Sequence, residues 1–185
     1  MGKIISSINV TADGFCGHID AIADEEHHQF AIELLRTADI LLLGRVTYQL
    51  FESYWPIAAK DNTLPGSLFE LAQLLDKKQK IVASKTLSKV DWNNSTILQN
   101  ISSDTITKLK ETDKTILIFG SPGLLSNMTE QGLIDEYYFT VQPIIAGKGK
   151  HLFEELKLGQ RVNLRHIATK QSTSGVVTIR YDRTN

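Results

Sequence analysis

The order of apolar segments along the chain constrains its fold more strongly than any other feature. Short runs rich in aliphatic and β-branched residues alternate with segments in which apolar residues recur at helical spacing. Apolar runs of strand length are typical of parallel strands that are covered by helices. The runs occupy residues 4–10, 40–43, 81–83, 96–98 and 115–119.

Helix start and stop signals lie between these runs. Residues 24–26 are acidic and open the first helical pattern, where they suit the positive end of the helix dipole. Residues 45–54 predict a short helix that is closed by Trp55 and Pro56. Ser67 and Glu70 have the spacing of a capping box, which predicts that Ser67 caps a third helix.

The C-terminal part of the chain has a different pattern. Residues 134–145, 161–168 and 176–181 are β-rich, and no helical pattern separates the last two segments. Consecutive strands joined by a short connection pair in the antiparallel direction. The expected fold class is α/β, with a mostly parallel central sheet, helices on both faces and an antiparallel C-terminal hairpin. No repeat or linker divides residues 1–185, so we expect a single domain.

Composition excludes several classes of protein. The 185 residues include 20 basic and 21 acidic side chains, and this balance gives no basic surface for nucleic acid. The one cysteine, Cys16, excludes an internal disulfide framework and a zinc site built from several cysteines. His27 and His28 are adjacent and lack metal-ligand spacing, so we expect no metal site. No signal peptide or membrane-spanning run is present, so we expect a cytoplasmic protein with no membrane partner.

Two segments combine a buried strand, a glycine turn and a helix start. They are residues 43–47, with Gly44, and residues 119–125, with Gly120 and Gly123. In an open α/β sheet, ligands bind beyond the carboxyl ends of the strands, where helix N-termini attract phosphate groups. Each glycine could instead simply permit a tight turn. Neither segment is a GxGxxG fingerprint, so the pair favours a dinucleotide site outside the standard Rossmann class.

The same residues resemble a known family. Gly44-Arg45-x-Thr47 after an apolar strand resembles a motif of the dihydrofolate reductase fold. Residues 118–153 are similar to the reductase domain of bacterial riboflavin biosynthesis and its stand-alone relatives, and the resemblance extends from Lys3 to about Tyr181. The similar stretches within residues 118–153 are 119–125, 132–137, 143–149 and 152–153.

This resemblance implies a fold and a function. The implied fold is a dihydrofolate reductase-like three-layer α/β/α arrangement with an eight-stranded, mostly parallel sheet. The implied function is an NADPH-dependent reductase of a pyrimidine- or pterin-like heterocycle, similar to the 5-amino-6-(5-phosphoribosylamino)uracil reductase of riboflavin biosynthesis. A dihydrofolate reductase, or a non-catalytic nucleotide-binding protein that retains the fold, is the alternative.

The resemblance also indicates which residues bind the cofactor. Ser84 and Lys85, after the third strand, match the position that holds the adenosine 2′-phosphate, although they could equally form an ordinary strand exit. The family's paired glycines are replaced here by Gly120 and Ser121. The full set of expected NADPH-binding residues is Val10, Thr11, Gly44, Arg45, Thr47, Ser84, Lys85, Gly120, Ser121, Gly123, Leu124 and Leu125.

Three further residues are candidates for the substrate side and for catalysis. Asp13 follows the first strand, where it could accept a hydrogen bond from a heterocycle or simply form the turn. Thr140 matches a strand threonine of the folate-reductase pocket, and could equally be an exposed strand residue. Counting back from Gly44, His28 falls at the position of that enzyme's substrate-binding carboxylate. The long C-terminal strands indicate a homodimer.

Overall fold

The computed structural model describes residues 2–154 and 156–184, which form eight strands and the helices between them. The strands are β1 (Ile4–Thr11), β2 (Ile40–Gly44), β3 (Gln79–Ala83), β4 (Ser95–Leu98), β5 (Ile116–Phe119), β6 (Glu136–Gln142), β7 (Asn163–Gln171) and β8 (Val177–Thr184). The α-helices are α1 (Glu25–Thr37), α2 (Arg45–Glu52), α3 (Trp55–Ala58), α4 (Gly66–Lys77), α5 (Ser103–Glu111) and α6 (Pro122–Glu130), and a single 3₁₀ turn spans His18–Asp20.

The strands belong to one sheet in the order β4-β3-β2-β5-β1-β6-β8-β7. β2, β3 and β4 pair in parallel, as do β1 and β6. β8 is antiparallel to both β6 and β7, so the C-terminal strands form the expected hairpin. The structure therefore confirms an α/β fold with a mostly parallel eight-stranded sheet and an antiparallel C-terminal end.

Backbone contacts divide the described residues into two compact units. The first unit contains residues 2 and 23–117, and the second contains residues 3–22 and 118–184 without residue 155. In the first unit, Leu41, Leu42 and Leu43 of β2 have no exposed surface. A strand that is buried on both faces needs an uninterrupted apolar run, and residues 40–43 supply one. The expectation that residues 1–185 form a single domain stays a prediction.

The predicted capping role of Ser67 is wrong. Pro65 is the residue that precedes α4, and its side chain makes no capping hydrogen bond to the first amides of this helix. Ser67 lies inside the helix, is 6% exposed, and donates its hydroxyl hydrogen to Glu25 of α1. The Ser67 hydroxyl therefore binds Glu25, which is distant in sequence, and does not cap α4 as the local pattern predicted.

Several predicted boundaries also differ from the structure, two of them in the connections around α2 and β6. The helix expected over residues 45–54 ends at Glu52, and a separate short helix, α3, begins at Trp55. Pro56 occupies the first turn of α3, a position that tolerates proline because the amide there has no partner within the helix. The strand expected over residues 134–145 covers only Glu136–Gln142.

Candidate functional site

The carboxyl ends of β2 and β3 bring two predicted cofactor-binding segments together in the first unit. Gly44 is the register partner of Ala83 in this parallel pair. Arg45 and Ser84 are the next residues along their strands, so both segments leave the sheet at the same edge. This is the edge at which ligands of open parallel sheets bind.

Gly44 is both the last residue of β2 and the residue that precedes α2. It has an extended backbone and, as a glycine, carries no side chain that could accept a hydrogen bond from the first amides of α2. Arg45 is exposed, and its guanidinium donates to the side-chain oxygen of Gln49 over 3.2 Å. Thr47 is half-buried in the first turn of α2. The turn thus combines a helix N-terminus, a forked cation and a hydroxyl, a combination that suits a phosphate group.

The Ser84 side chain makes hydrogen bonds within the protein, whereas the Lys85 side chain is exposed. The Ser84 side chain accepts hydrogen bonds from the amides of Thr86 (3.2 Å) and Leu87 (2.9 Å), and it therefore closes the turn after β3. Its hydroxyl hydrogen remains able to donate to a ligand. Lys85 is exposed, and among residues 2–154 and 156–184 its ammonium makes no hydrogen bond or ion pair. Ser84 is thus a structural residue of the strand exit, and Lys85 is an available cation.

In the second unit, Gly120 and Ser121 turn the chain from β5 into α6 through two successive left-handed residues. Their φ angles are +70° and +59°, and the Gly120 amide donates to the carbonyl of Ser7 over 2.8 Å. Ser121 is 5% exposed and keeps a backbone conformation that glycine adopts without strain. Ser121, which stands where the resemblance implied a second glycine, therefore adopts a backbone conformation typical of glycine.

The first turn of α6 presents backbone rather than side chains. Leu124 and Leu125 are 8% and 0% exposed, so their side chains belong to the core. Gly123 lies beside them, and a Cβ added there would have one heavy atom outside its own helix and neighbours within 4 Å, Nζ of Lys150 at 3.9 Å. Space for a ligand therefore exists over Gly123, with a cation at its border.

Asp13 joins the loop after β1 to the loop after β6. Its Oδ1 accepts from the Thr11 hydroxyl (2.6 Å) and the Ala146 amide (3.1 Å), and its Oδ2 accepts from the Gly147 amide (2.7 Å). The hydrogen bonds from Thr11 and from these amides lower the pKa of Asp13 to about 2. Asp13 is therefore an ionised carboxylate that holds two loops together.

The other candidates in the second unit lie on β1 and β6. Val10 pairs with Val141, and Thr11 is 3% exposed and also accepts from the Phe15 amide over 2.9 Å. Thr140 is 2% exposed, and its hydroxyl oxygen lies 3.2 Å from that of Thr178. Thr140 is thus a buried member of a cross-strand pair, not an exposed strand residue.

His28 lies on α1, close to Ser67 of α4 and to Glu25 of its own helix. Nδ1 of His28 is 3.5 Å from the hydroxyl oxygen of Ser67, which in turn donates to Oε2 of Glu25. Burial lowers the pKa of His28, and the negative charge of Glu25 acts in the opposite direction. The hydrogen bond from Ser67 is the main reason that the pKa of Glu25 is lowered.

Sequence reasoning missed the contact between Glu25 and Ser67 and the position of Lys150. Glu25 and Ser67 lie at two helix starts, and nothing local indicates that they meet across 42 residues of sequence. Lys150 belongs to the glycine-rich segment 147–150, whose lack of a P-loop pattern removed it from consideration.

The described residues contain no group of three or more histidine, cysteine or acidic side chains that could hold a metal ion. Within the same residues, no helix has the length and apolar character needed to cross a membrane.

Comparison with known proteins gives one family and several related chains. The RibD C-terminal domain family matches residues 2–178. A relative from Bacillus subtilis (strain 168), the uncharacterized protein YyaP, is 32% identical over 183 residues, which cover 97% of this chain and 94% of YyaP.

Solved structures share the fold at lower sequence identity. A protein from Shewanella sp. PV-4, named for riboflavin biosynthesis, superposes with a TM-score of 0.75 and 21% identity over 100% of both chains. Dihydrofolate reductase from Enterococcus faecalis, in a complex with NADP(H) and RAB-propyl, superposes with a TM-score of 0.62 and 14% identity, over 100% of this chain and 98% of that one. Both similarities establish the dihydrofolate reductase-like fold.

Proposed function

The chain belongs to the RibD C-terminal domain family, and from this premise we propose that it is an NADPH-dependent reductase of a pyrimidine- or pterin-like heterocycle. The substrate class follows from the riboflavin-biosynthesis branch, whose reductase acts on 5-amino-6-(5-phosphoribosylamino)uracil. The proposed cofactor is the one named for the dihydrofolate reductase of the same fold.

One observation carries the cofactor proposal. Gly44 and Ala83 are register partners, so Arg45 and Lys85 follow neighbouring parallel strands at their carboxyl ends. Two cations at that edge, one of them forked, match a ligand that carries several phosphate groups. In the proposed site, Gly44, Arg45 and Thr47 hold the diphosphate, and Ser84 and Lys85 hold the adenosine 2′-phosphate.

In the second unit, the proposed cofactor contacts are backbone groups together with the hydroxyls of Ser121 and Thr11. The left-handed pair Gly120 and Ser121 and the open space over Gly123 support close approach of the cofactor to α6. Val10 and Thr11 end β1, and we assign them to the nicotinamide side. We assign to Leu124 and Leu125 the positioning of the first turn of α6, because their side chains are buried and the Leu125 amide donates to the Ser121 carbonyl over 2.9 Å.

The nicotinamide, when bound, supplies a hydride. The protein's part is to orient the heterocycle, exclude water and move at most one proton. We assign the heterocycle contact to His28, whose ring is half-buried, and a supporting role to Asp13 and Thr140. Asp13 acts by holding the loop after β1 to the loop after β6, because its oxygens already accept hydrogen bonds from Thr11, Ala146 and Gly147.

The proposal is tested by cofactor titration. We expect the wild type to bind NADPH more tightly than NADH, and Lys85→Ala to lose most of that preference, because a charged hydrogen bond contributes about 1.5–3 kcal/mol, or about ten- to a hundredfold in affinity. Lys108→Ala removes an exposed lysine of α5 and is the matched control. Equal affinity for both cofactors in the wild type would contradict the assignment of Ser84 and Lys85.

Catalysis is tested separately by loss of nicotinamide absorbance with a panel of pyrimidines and pteridines. Turnover of a ribosylaminopyrimidine would support the riboflavin branch, and turnover of dihydrofolate would support the folate alternative. Tight NADPH binding without turnover across the panel would instead favour a non-catalytic nucleotide-binding protein.

A homodimer in the cytoplasm is the remaining part of the proposal. All nine residues of β7 are exposed, at the end of the sheet order, and Leu164 and Ile167 add apolar surface there. An exposed edge strand of this length is a template for pairing with another strand, and a second copy would cover it. Light scattering after size exclusion measures the mass: about 41 kDa, twice the 20.7 kDa chain, supports the dimer, and the chain mass contradicts it.

A further inference from the structure

One face of the β1–β6 strand pair, in the second unit, carries a row of polar side chains. Asn9 is the register partner of Thr140, and Thr11 is the register partner of Gln142. Because side chains alternate along a strand, these four residues lie on the same face, towards the carboxyl ends of both strands. Thr11, Thr140 and Gln142 are buried, whereas Asn9 is half-buried. Asn9 is therefore the member of this row that a ligand can reach.

A backbone hydrogen bond fixes the direction in which the Gln142 amide group points. The N–H of Ile22 donates to Oε1 of Gln142 over 2.9 Å, and a backbone N–H can only donate. The other end of this amide group, Nε2, donates to Oδ1 of Asn9 over 3.4 Å. The oxygen of the Asn9 side chain is thus engaged, and its nitrogen, Nδ2, remains for another partner.

Two polar groups on this face of β1 have no hydrogen-bond partner within residues 2–154 and 156–184. One is Nδ2 of Asn9. The other is the hydroxyl of Ser7, which lies two residues earlier on the same face and is 4% exposed. Buried polar groups in folded proteins nearly always have a hydrogen-bond partner. A ligand that supplies hydrogen-bond acceptors explains why both groups lie here.

We propose that Asn9 determines substrate specificity by donating from Nδ2 to a carbonyl oxygen of the heterocycle. This inference rests on the proposed function, because it takes the ligand to be a pyrimidine or a pteridine. Since Nδ2 can only donate, this position accepts an oxo group and rejects an amino group, which also donates. Gln142 is a positioning residue, because it acts through the orientation of Asn9.

The test compares two ligands of nearly the same shape. Diaminouracil carries two oxo groups at the ring carbons where tetraaminopyrimidine carries amino groups. Each compound is titrated by calorimetry, under nitrogen and with NADPH present, into the wild type and the variants. We expect the wild type to bind diaminouracil at least about fivefold more tightly, because tetraaminopyrimidine leaves Nδ2 of Asn9 without an acceptor.

Three variants identify the residues that are responsible. We expect Asn9→Asp to reverse the preference, because a carboxylate accepts from amino groups and repels a carbonyl oxygen. Asn163→Asp makes the same change at an exposed position of β7, and should keep both affinities within about twofold of the wild type. Gln142→Met keeps the side-chain length but cannot donate to Asn9, so the preference should narrow. The Tm of each variant without ligand shows that it is folded.

The outcomes separate this inference from the proposed function. If Asn9→Asp keeps the wild-type preference, or if the wild type binds neither compound, the inference is overturned. If Gln142→Met keeps the full preference, the positioning role of Gln142 is overturned. If the wild type does not bind NADPH, the proposed cofactor is wrong, and the same titrations without NADPH then decide whether Asn9 selects an oxo group.

Discussion

The hydroxyl oxygen of Ser67 lies 3.5 Å from Nδ1 of His28. Ser67 donates its only hydroxyl hydrogen to Glu25, so towards His28 its oxygen can act only as an acceptor. Neutral His28 therefore carries its hydrogen on Nδ1 and presents an unprotonated Nε2. Because burial lowers the pKa of His28, this neutral form predominates at pH 7, where Nε2 can accept one hydrogen bond from a heterocycle.

The first prediction concerns the charge of Glu25. In Glu25→Gln, we expect the pKa of His28 to fall further, because the negative charge that raises it is removed while burial remains. NMR titration of the His28 ring measures this change and also identifies the tautomer. Glu33→Gln, on the exposed side of the same helix, is the control and should leave the titration unchanged. An unchanged or higher pKa in Glu25→Gln would show that Glu25 does not act on His28.

The second prediction concerns antifolates. A folate reductase binds the pterin through a carboxylate that accepts two hydrogen bonds, whereas a neutral imidazole at this position offers one acceptor. Loss of this charged, two-pronged contact costs about 2–5 kcal/mol. We therefore expect methotrexate to add almost nothing to the Tm measured with NADPH alone. His28→Asp should strengthen methotrexate binding, and His28→Asn should not. Sub-micromolar binding by the wild type would show that His28 does not occupy that position.

The third prediction concerns Asp13 and pH. Its carboxyl has a lower pKa in the folded protein, about 2, than in the unfolded chain. The unfolded state therefore binds more protons between about pH 4 and pH 2, and stability falls as the pH is lowered across that range. We expect Asp13→Asn to be less stable than the wild type above pH 4, and the difference to close towards pH 2. Thermal unfolding from pH 2 to pH 6 measures the difference, with Asp20→Asn as the control for loss of one carboxylate. A difference that does not change with pH would contradict the assigned contacts.

The fold was predictable because buried strands and helix ends have characteristic local sequence patterns. The leucines of β2 and the acidic first turn of α1 are read directly from neighbouring residues, and both elements lie where the sequence predicted them. The sequence also placed strands at residues 40–43 and 81–83, but their order in the sheet and the pairing of Gly44 with Ala83 come from the structure.

The contacts at the site were less predictable because they join segments that are distant in sequence. Ser67 has the local pattern of a cap, and only the packing of α1 against α4 gives its hydroxyl to Glu25. The position of Lys150 depends on hydrogen bonds from residues 13–16, which are more than a hundred residues earlier. Periodicity carries no information about such pairs.

The fourth prediction concerns Lys80 of β3, which has no exposed surface. Its ammonium donates to the carbonyls of Asp76 (3.0 Å) and Lys78 (2.7 Å) and lies 4.2 Å from the ring centre of Trp92. Burial lowers the pKa of Lys80 from 10.5 to about 8. The unfolded state therefore binds more protons between these values, and stability rises with pH there.

Lys80→Met removes this titration. We expect the difference in unfolding free energy between the wild type and Lys80→Met to shift in favour of the wild type above pH 8, by up to about 1.4 kcal/mol per pH unit. Urea unfolding at pH 8, 9 and 10 measures the slope. A constant difference would mean that the ammonium is charged throughout this range.

The last prediction concerns Ser121, whose left-handed backbone at φ +59° is costly for a residue with a Cβ. This cost is about 1–2 kcal/mol, and glycine does not incur it. The Ser121 side chain is 5% exposed, so its removal also takes away buried contacts. We expect the relief of backbone strain to exceed that loss. In a chain of this size a gain of about 1 kcal/mol corresponds to a Tm increase of about 2–4 °C for Ser121→Gly. Ser126→Gly, which places glycine inside α6 and removes a 3.0 Å hydrogen bond to the Pro122 carbonyl, should lower the Tm instead. NADPH affinity should survive in Ser121→Gly, because the backbone path of the turn is unchanged. A lower Tm in this variant would show that the serine side chain contributes more than the strained backbone costs, and that the turn has come to depend on it.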